Sequence, residues 1–332
     1  MNRLRQLAAV SLLLFIWSHP SWADQRPGKI LNAIVKVHAV VPQEARSAQI
    51  LGTEREGSGV VIDSQGHVLT IGYLILEAER VEIAGEDGKP IPAAVVGYDS
   101  DSGFGLVRAQ TPLDVPPMEL GDSAAVEVGE PLLVAGQGGE EAVAGARVIS
   151  RQEFAGYWEY LLEDPIFTIP PYPKHSGAAL IDRQGRLVGI GSLFTQLGIR
   201  GLGTLPCNMF VPINRFKSIQ GDLKAGGGPP GPPRPWLGVN LEETHGRVFV
   251  IRVTAGGPAE KAGLGPGDII LRVGDDDVGG LADLYWRMWG LGAAGVQVPL
   301  LVLQGSELRR IVVLSGDRGQ FYRLTLRPRE TS

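Results

Sequence analysis

In Gly57-Ser58-Gly59-Val60-Val61-Ile62-Asp63 a turn of small residues runs into an apolar, β-branched stretch that stops at a carboxylate. The format repeats along the chain. His67-Val68-Leu69-Thr70, Arg80-Val81-Glu82-Ile83 and Ala93-Ala94-Val95-Val96 follow, then Leu132-Leu133-Val134-Ala135 and Leu187-Val188-Gly189-Ile190. Each run is bounded by Gly, Asp, Ser or Pro, and short β-rich runs between turn signals predict a sandwich or barrel. The 46 Gly and 24 Pro in 332 residues agree with many turns and few long helices. No helical periodicity competes until Pro212 to Gln220, where a Pro near the start predicts a closing helix.

Further on, Gly226-Gly227-Gly228-Pro229-Pro230-Gly231-Pro232-Pro233 cannot pack a core and reads as an exposed, partly stiff linker. Beyond it, Leu281, Leu284, Tyr285, Met288 and Trp289 fall at helical spacing on one face, with Gly290 at the predicted stop. Trp286 and Trp289 read as packing residues of that helix. The expected organisation is a signal peptide over 1–23, a β-rich domain over 24–223, a linker over 224–235 and a smaller domain over 236–328.

The signal reading rests on Arg3 and Arg5 ahead of an apolar run from Leu7 to Trp17, and on Ser21-Trp22-Ala23 as a small-x-small cleavage site. The apolar run is short for a membrane span of about 20 residues, although an inner-membrane anchor is the alternative. Export with cleavage predicts a periplasmic protein. Loss of the segment moves the formal charge from −5 to −7, and a mildly acidic chain without a basic cluster argues against nucleic acid as a partner. Cys207 is the only cysteine, so no intramolecular disulfide forms. No His or Cys grouping has metal-ligand spacing, and neither a metal nor another cofactor is expected.

Several of these segments resemble, in order and spacing, those of the HtrA family of trypsin-like serine proteases. Gly57-Ser58-Gly59-Val60-Val61-Ile62 is similar to the pattern with which that family's protease domain opens its core. It is joined by Val96-Gly97-Tyr98-Asp99, Ser176-Gly177-Ala178-Ala179-Leu180, Gly185-Arg186-Leu187-Val188-Gly189-Ile190 and Phe210-Val211-Pro212-Ile213-Asn214. After the linker, Trp236-Leu237-Gly238-Val239 resembles the carboxylate-binding loop of a PDZ domain. Gly257-Pro258-Ala259-Glu260-Lys261-Ala262-Gly263-Leu264 resembles the short helix of HtrA-type PDZ domains, and Gly265-Pro266-Gly267-Asp268 the turn that follows. The resemblance implies a mainly β chain: a trypsin-like double six-stranded β-barrel followed by one PDZ domain.

It also implies where catalysis would sit, and there the chain departs from the pattern. Serine-based hydrolysis needs a nucleophile, a base, a group that orients the base, and oxyanion donors. The family's T-x-x-H segment reads Thr70-Ile71-Gly72-Tyr73 here, so Tyr73 stands at the histidine position. A phenol with a pKa near 10 is neutral at pH 7 and does not accept the serine proton as imidazole does. The S-D-x-A-L segment reads Ser102-Gly103-Phe104-Gly105-Leu106, which puts Gly103 at the acid position with Asp99 and Asp101 nearby. The G-N-S-G-G segment reads Lys174-His175-Ser176-Gly177-Ala178. It keeps Ser176 but places Lys174 at an oxyanion-hole glycine, where a lysine resists a positive φ.

Two readings stay open for Ser176: a turn residue without chemistry, or a nucleophile with an unusual base among His175, Lys174 and Asp101. His38 and His67 read as strand residues and His245 as a turn residue. For the second domain, the resemblance implies capture of C-terminal or unfolded polypeptides. The amides of Leu237, Gly238 and Val239 would hold a carboxylate, and Leu284 or Met288 would line the pocket for the last ligand residue. The function implied is a non-catalytic adaptor or chaperone in protein quality control. An active endopeptidase and a subunit that tunes an active relative are the alternatives, and a homotrimer is the assembly the resemblance suggests.

Overall fold

The structure is a computed structural model that describes residues 30–199, 201, 203–226 and 231–322. The signal segment 1–23, the predicted domain limits at 24 and 328, and Gly227-Gly228-Pro229-Pro230 of the linker lie outside the described residues.

Six strands close the first barrel: β1 (Ile34–Val40), β2 (Glu54–Val61), β3 (His67–Ile71), β4 (Arg80–Ala84), β5 (Pro90–Tyr98) and β6 (Phe104–Ala109), in cyclic order β1-β2-β3-β6-β5-β4. The second barrel uses β7 (Pro131–Ala135), β8 (Val143–Ser150), β11 (Ile166–Ile169), β12 (Ala179–Ile181), β13 (Leu187–Ile199) and β14 (Gly203–Pro212). Its order, β7-β8-β11-β14-β13-β12, is the same arrangement repeated. A two-stranded hairpin, β9 (Phe154–Gly156) with β10 (Tyr160–Leu162), is inserted between β8 and β11.

Alternation places the side chains. In β1, Val35, Val37 and Ala39 are buried while Lys36 and His38 are partly exposed, the period of a half-buried strand. Gly59 is needed because a β-carbon there would lie 2.5 Å from Val68 Cγ1 and 2.8 Å from Val37 Cγ2, inside the barrel. The predicted closing helix is present as Ile213–Lys224 and buries Ile213, Phe216, Ile219 and Leu223. Phe216 meets Phe104 of β6 edge to face with centroids 5.8 Å apart, so the end of the second barrel packs on the first. The helix start is locked by a reciprocal pair: Ser123 N–H donates to Asn214 Oδ1 (3.2 Å) and Asn214 N–H to Ser123 Oγ (3.0 Å).

After the linker, β15 (Val239–Thr244), β16 (Arg247–Val253), β17 (Ile269–Val273), β19 (Gln297–Gln304) and β20 (Glu307–Leu314) form one sheet, with β18 (Asp276–Asp277) paired to β17. The helix Leu281–Gly290 buries the predicted face Leu281, Leu284, Tyr285 and Met288. Trp289 stacks on Tyr285 at 5.5 Å, as the packing reading expects. Trp286 differs: it is 42% exposed and donates its Nε1–H to Glu153 Oε2 at 3.0 Å. Arg234 ties the two parts together, pairing with Asp101 at 3.0 Å while its guanidinium lies over the Trp289 ring at 4.3 Å.

Candidate active site and peptide groove

Ser176 sits on the loop between β11 and β12, and glycines hold that loop against both barrels. Gly57 is bare because a β-carbon would meet Ser176 O at 2.7 Å, and Gly191 because one would meet His175 O at 2.0 Å. Ser58 N–H donates to Ser176 O (2.8 Å) and Gly177 N–H to Gly191 O (2.8 Å). Gly57-Ser58-Gly59, inside β2 rather than in a turn, is thus a bracket for the serine loop.

Among the described residues, one side chain hydrogen-bonds the hydroxyl. Tyr73 Oη lies 2.8 Å from Ser176 Oγ and 2.9 Å from the Ser192 carbonyl. A carbonyl only accepts, so the phenol's single proton serves Ser192, and the proton between the two hydroxyls is then Ser176's own. Burial pushes the Tyr73 phenol up to about 12, with the hydrogen bond to Ser176 pulling slightly the other way. Arg55 fixes this segment from behind. Its Nη1 donates to Tyr73 O and Leu76 O at 2.8 Å each, and its Nη2 donates to Ser47 Oγ at 2.7 Å. Because burial disfavours the phenolate, Tyr73 should be no more than about a tenth ionised at pH 11. Absorbance titrations at the tyrosinate band should therefore superimpose for wild type and Tyr73→Phe up to that pH. An extra transition in wild type near pH 10 would contradict this.

The nearby acids are engaged elsewhere. Asp99 accepts from Asp101 N–H (3.0 Å), Ser102 N–H (3.1 Å) and the Ser102 hydroxyl, closing its own turn. Asp101 pairs with Arg234. Gly103 has φ +84° and accepts from Gly72 N–H at 2.7 Å, beside the Tyr73 segment but without a side chain to offer. Among the described residues no carboxylate hydrogen-bonds Ser176, Tyr73 or His175. The buried Nδ1 of His175 has no hydrogen-bond partner, and desolvation holds its pKa below the usual histidine value. Lys174 is exposed. One expectation needs correcting: Lys174 is not asked for a positive φ, because the loop places its left-handed residue at Gly177, φ +74°. Among the described residues, the N–H groups of Lys174 and Ser176 find no acceptor.

A cleft of about 400 Å³ runs from Tyr73, Ser192 and Leu193 past Trp158 to Val239 and Arg252 of the C-terminal domain. The apolar segment from Gly191 to Phe210 divides between roles: Cys207 and Met209 are core, Leu193 lines the cleft and Phe194 is 55% exposed.

Residues 57–190 match the trypsin-like peptidase domain family and residues 235–314 the PDZ domain family. A probable periplasmic serine endoprotease DegP-like from Hahella chejuensis is 27% identical over 293 residues, covering 83% of this chain and 58% of that protein. The chain joins a trypsin-like peptidase domain to one PDZ domain, and its relatives are named DegP-like serine endoproteases. Serine protease PepD of Mycobacterium tuberculosis is 28% identical over 278 residues, covering 76% of this chain and 58% of its own length. The chain therefore spans about three-fifths of the length of these curated relatives. The solved HtrA-type protease AlgW with a decapeptide superposes with a TM-score of 0.51 at 21% identity, over 87% of this chain and 97% of that one. The same protease with a tripeptide gives 0.51 at 21%, over 90% and 97%. At that identity the likeness is one of fold.

In the PDZ domain the helix Leu281–Gly290 packs beside β15, and the two flank the candidate peptide groove. Leu237, Gly238 and Val239 do come together as a loop of inward amides, shaped by Gly238 at φ +80° with the Trp236 indole 3.1 Å from where a β-carbon would be. Leu284 and Met288 are each 1% exposed and pack in one cluster with Leu237, Val239, Leu241 and, from the inserted hairpin, Leu161. The acceptor of the three amides is Glu159. Sequence reasoning missed Glu159, Arg55 and Ser192, whose roles depend on contacts far along the chain.

Proposed function

We propose that this chain is a non-proteolytic periplasmic HtrA-type protein that binds C-terminal or unfolded polypeptides as an adaptor or chaperone in protein quality control. The observation that carries it is the pairing of Ser176 with Tyr73. A phenol held up at about 12 gives its own proton to the Ser192 carbonyl and is a very weak base toward Ser176, so the serine keeps its proton at neutral pH. Tyr73 and Gly103 stand where the family pattern has its base and acid. Losing a triad base typically costs on the order of 10⁴- to 10⁶-fold in rate, which leaves binding as the function of the site. The periplasm is supported by the names of the relatives and by the signal-like sequence at residues 1–23. A homotrimer, or association with an active relative, is the assembly we propose with it.

The test uses casein as substrate and reduced insulin as aggregating client. Purified protein should yield no Ser176-dependent casein fragments over hours, while wild type and Ser176→Ala suppress insulin aggregation equally. Fragments that disappear in Ser176→Ala would instead make the chain an endopeptidase with a base other than Tyr73.

A further inference from the structure

The carboxylate loop of the PDZ domain is already holding a carboxylate. Glu159 Oε2 accepts from Leu237 N–H at 2.7 Å, and Oε1 accepts from Gly238 N–H at 2.7 Å and Val239 N–H at 2.9 Å. These are the three amides that a chain end would use under the reading proposed above. Glu159 is 6% exposed and lies in the β9–β10 turn with φ +56°, a left-handed backbone that a residue with a β-carbon rarely adopts. Strained backbone persists where surrounding contacts over-determine it, and here the contacts are those of the carboxylate and its neighbours.

The rest of the hairpin follows the groove as a bound strand would. Leu241 N–H of β15 donates to Tyr157 O at 2.8 Å, a single rung of strand addition. On the helix side, Tyr285 Oη donates to Gly156 O at 2.7 Å and receives Glu159 N–H at 3.2 Å. Leu161, two residues beyond the carboxylate, is 3% exposed inside the cluster of Leu237, Val239, Leu241, Leu284 and Met288. Arg318 reaches over the turn to Glu159 O at 3.4 Å. A carboxylate on the loop amides, an aliphatic side chain in the pocket and a backbone rung to the groove strand are the contacts of a peptide ligand, made by the chain itself.

We propose that the hairpin Phe154–Leu162 is an internal ligand of the PDZ groove, with Glu159 taking the place of a peptide's terminal carboxylate. External chain ends with an apolar last residue then bind only by displacing it. This rests on the peptide-binding reading of the PDZ domain. The same displacement would carry a consequence to the barrel, because Tyr157, Trp158 and Tyr160 of the hairpin line the cleft that also holds Tyr73. Occupancy of the groove and the shape of that cleft are coupled through one nine-residue segment.

Glu159→Gly is the variant of choice, since glycine suits φ +56° and removes only the carboxylate arm. Two readouts on the full chain separate the claims. In the first, hydrogen exchange of the amides of residues 237–239 is compared in wild type and variant. Exchange should be at least 10-fold faster in the variant with melting temperature retained, and equally fast exchange in both would overturn the internal ligand. In the second, a pool of fluorescein-labelled decapeptides, randomised except for a C-terminal Leu or Val, is titrated by anisotropy beside the same pool as C-terminal amides. The variant should bind the free-carboxylate pool at least 10-fold tighter than wild type, with the amidated pool weak on both. Equal, carboxylate-dependent affinity for wild type and variant would overturn the gating while leaving peptide binding intact. Binding by neither, with 237–239 shown to be freed, would sink the peptide-binding reading and the gating with it. Glu159→Gln, which keeps the arm without its charge, should fall between the two in both readouts.

Discussion

Tyr73→His should raise the rate at which a fluorophosphonate probe labels Ser176 by about 10²-fold, and adding Ser176→Ala should remove that labelling. The size follows from how triads fail. In subtilisin, loss of the base costs about 2 × 10⁶ in kcat and loss of the acid alone about 3 × 10⁴, so a Ser–His pair without its acid is worth roughly 10²-fold. The side chain at 73 already points at the serine, Tyr73 Oη being 2.8 Å from Ser176 Oγ, but the imidazole is shorter than the phenol, so the 174–178 loop has to close toward it for the pair to form. The acid is harder to restore. Gly103 has φ +84°, and a β-carbon there would approach Tyr160 Oη at 3.4 Å, so Gly103→Asp brings backbone strain along with its carboxylate. No gain in labelling by Tyr73→His in folded protein would mean that the conformation of the 174–178 loop, rather than the missing base, keeps Ser176 inert.

Gly177→Ala should destabilise the barrels by about 3–4 kcal/mol, a large share of the roughly 5–15 kcal/mol typical of a domain. Two effects combine. At φ +74° a β-carbon costs about 1–2 kcal/mol. That carbon would also lie 1.9 Å from Ser58 O, and both sides of the clash are main chain. Relief requires moving Ser58, which sets at risk its N–H bond to Ser176 O (2.8 Å) and the Thr70 hydroxyl bond to Ser58 O (2.7 Å), each worth about 1 kcal/mol. Gly129→Ala is the control, with φ +93° and nothing within 4 Å, and it should cost only the dihedral share, about 1–2 kcal/mol. Urea unfolding followed by tryptophan fluorescence measures both. Equal losses would show that dihedral strain alone, and not the approach of Ser58 to the serine loop, makes Gly177 necessary.

Much of the architecture was legible because its signals are local. The β-branched runs from Gly59 to Ile190 sit between turn residues, and the face Leu281, Leu284, Tyr285 and Met288 is set by helical period. Gly57 and Gly59 read as a turn but lie inside β2, and their reasons need the fold: one admits Ser176 O and the other Val37 and Val68. Ser176 and Tyr73 were singled out by resemblance and do meet. The hairpin at 154–162 was not read at all. Its aromatic residues carry no turn signal, and the carboxylate that matters binds amides 78 to 80 residues later. Lys174 was assigned a backbone demand that belongs three residues on, at Gly177, since the residue that turns a loop is decided by where its neighbours must pack.

The most direct measurement is fluorophosphonate labelling of the purified wild-type chain beside Ser176→Ala, with folding of both verified by circular dichroism. The account predicts the same background signal from each, because the Ser176 hydroxyl faces a neutral phenol and no imidazole. A wild-type signal lost on Ser176→Ala would contradict it and show that Ser176 is an activated nucleophile.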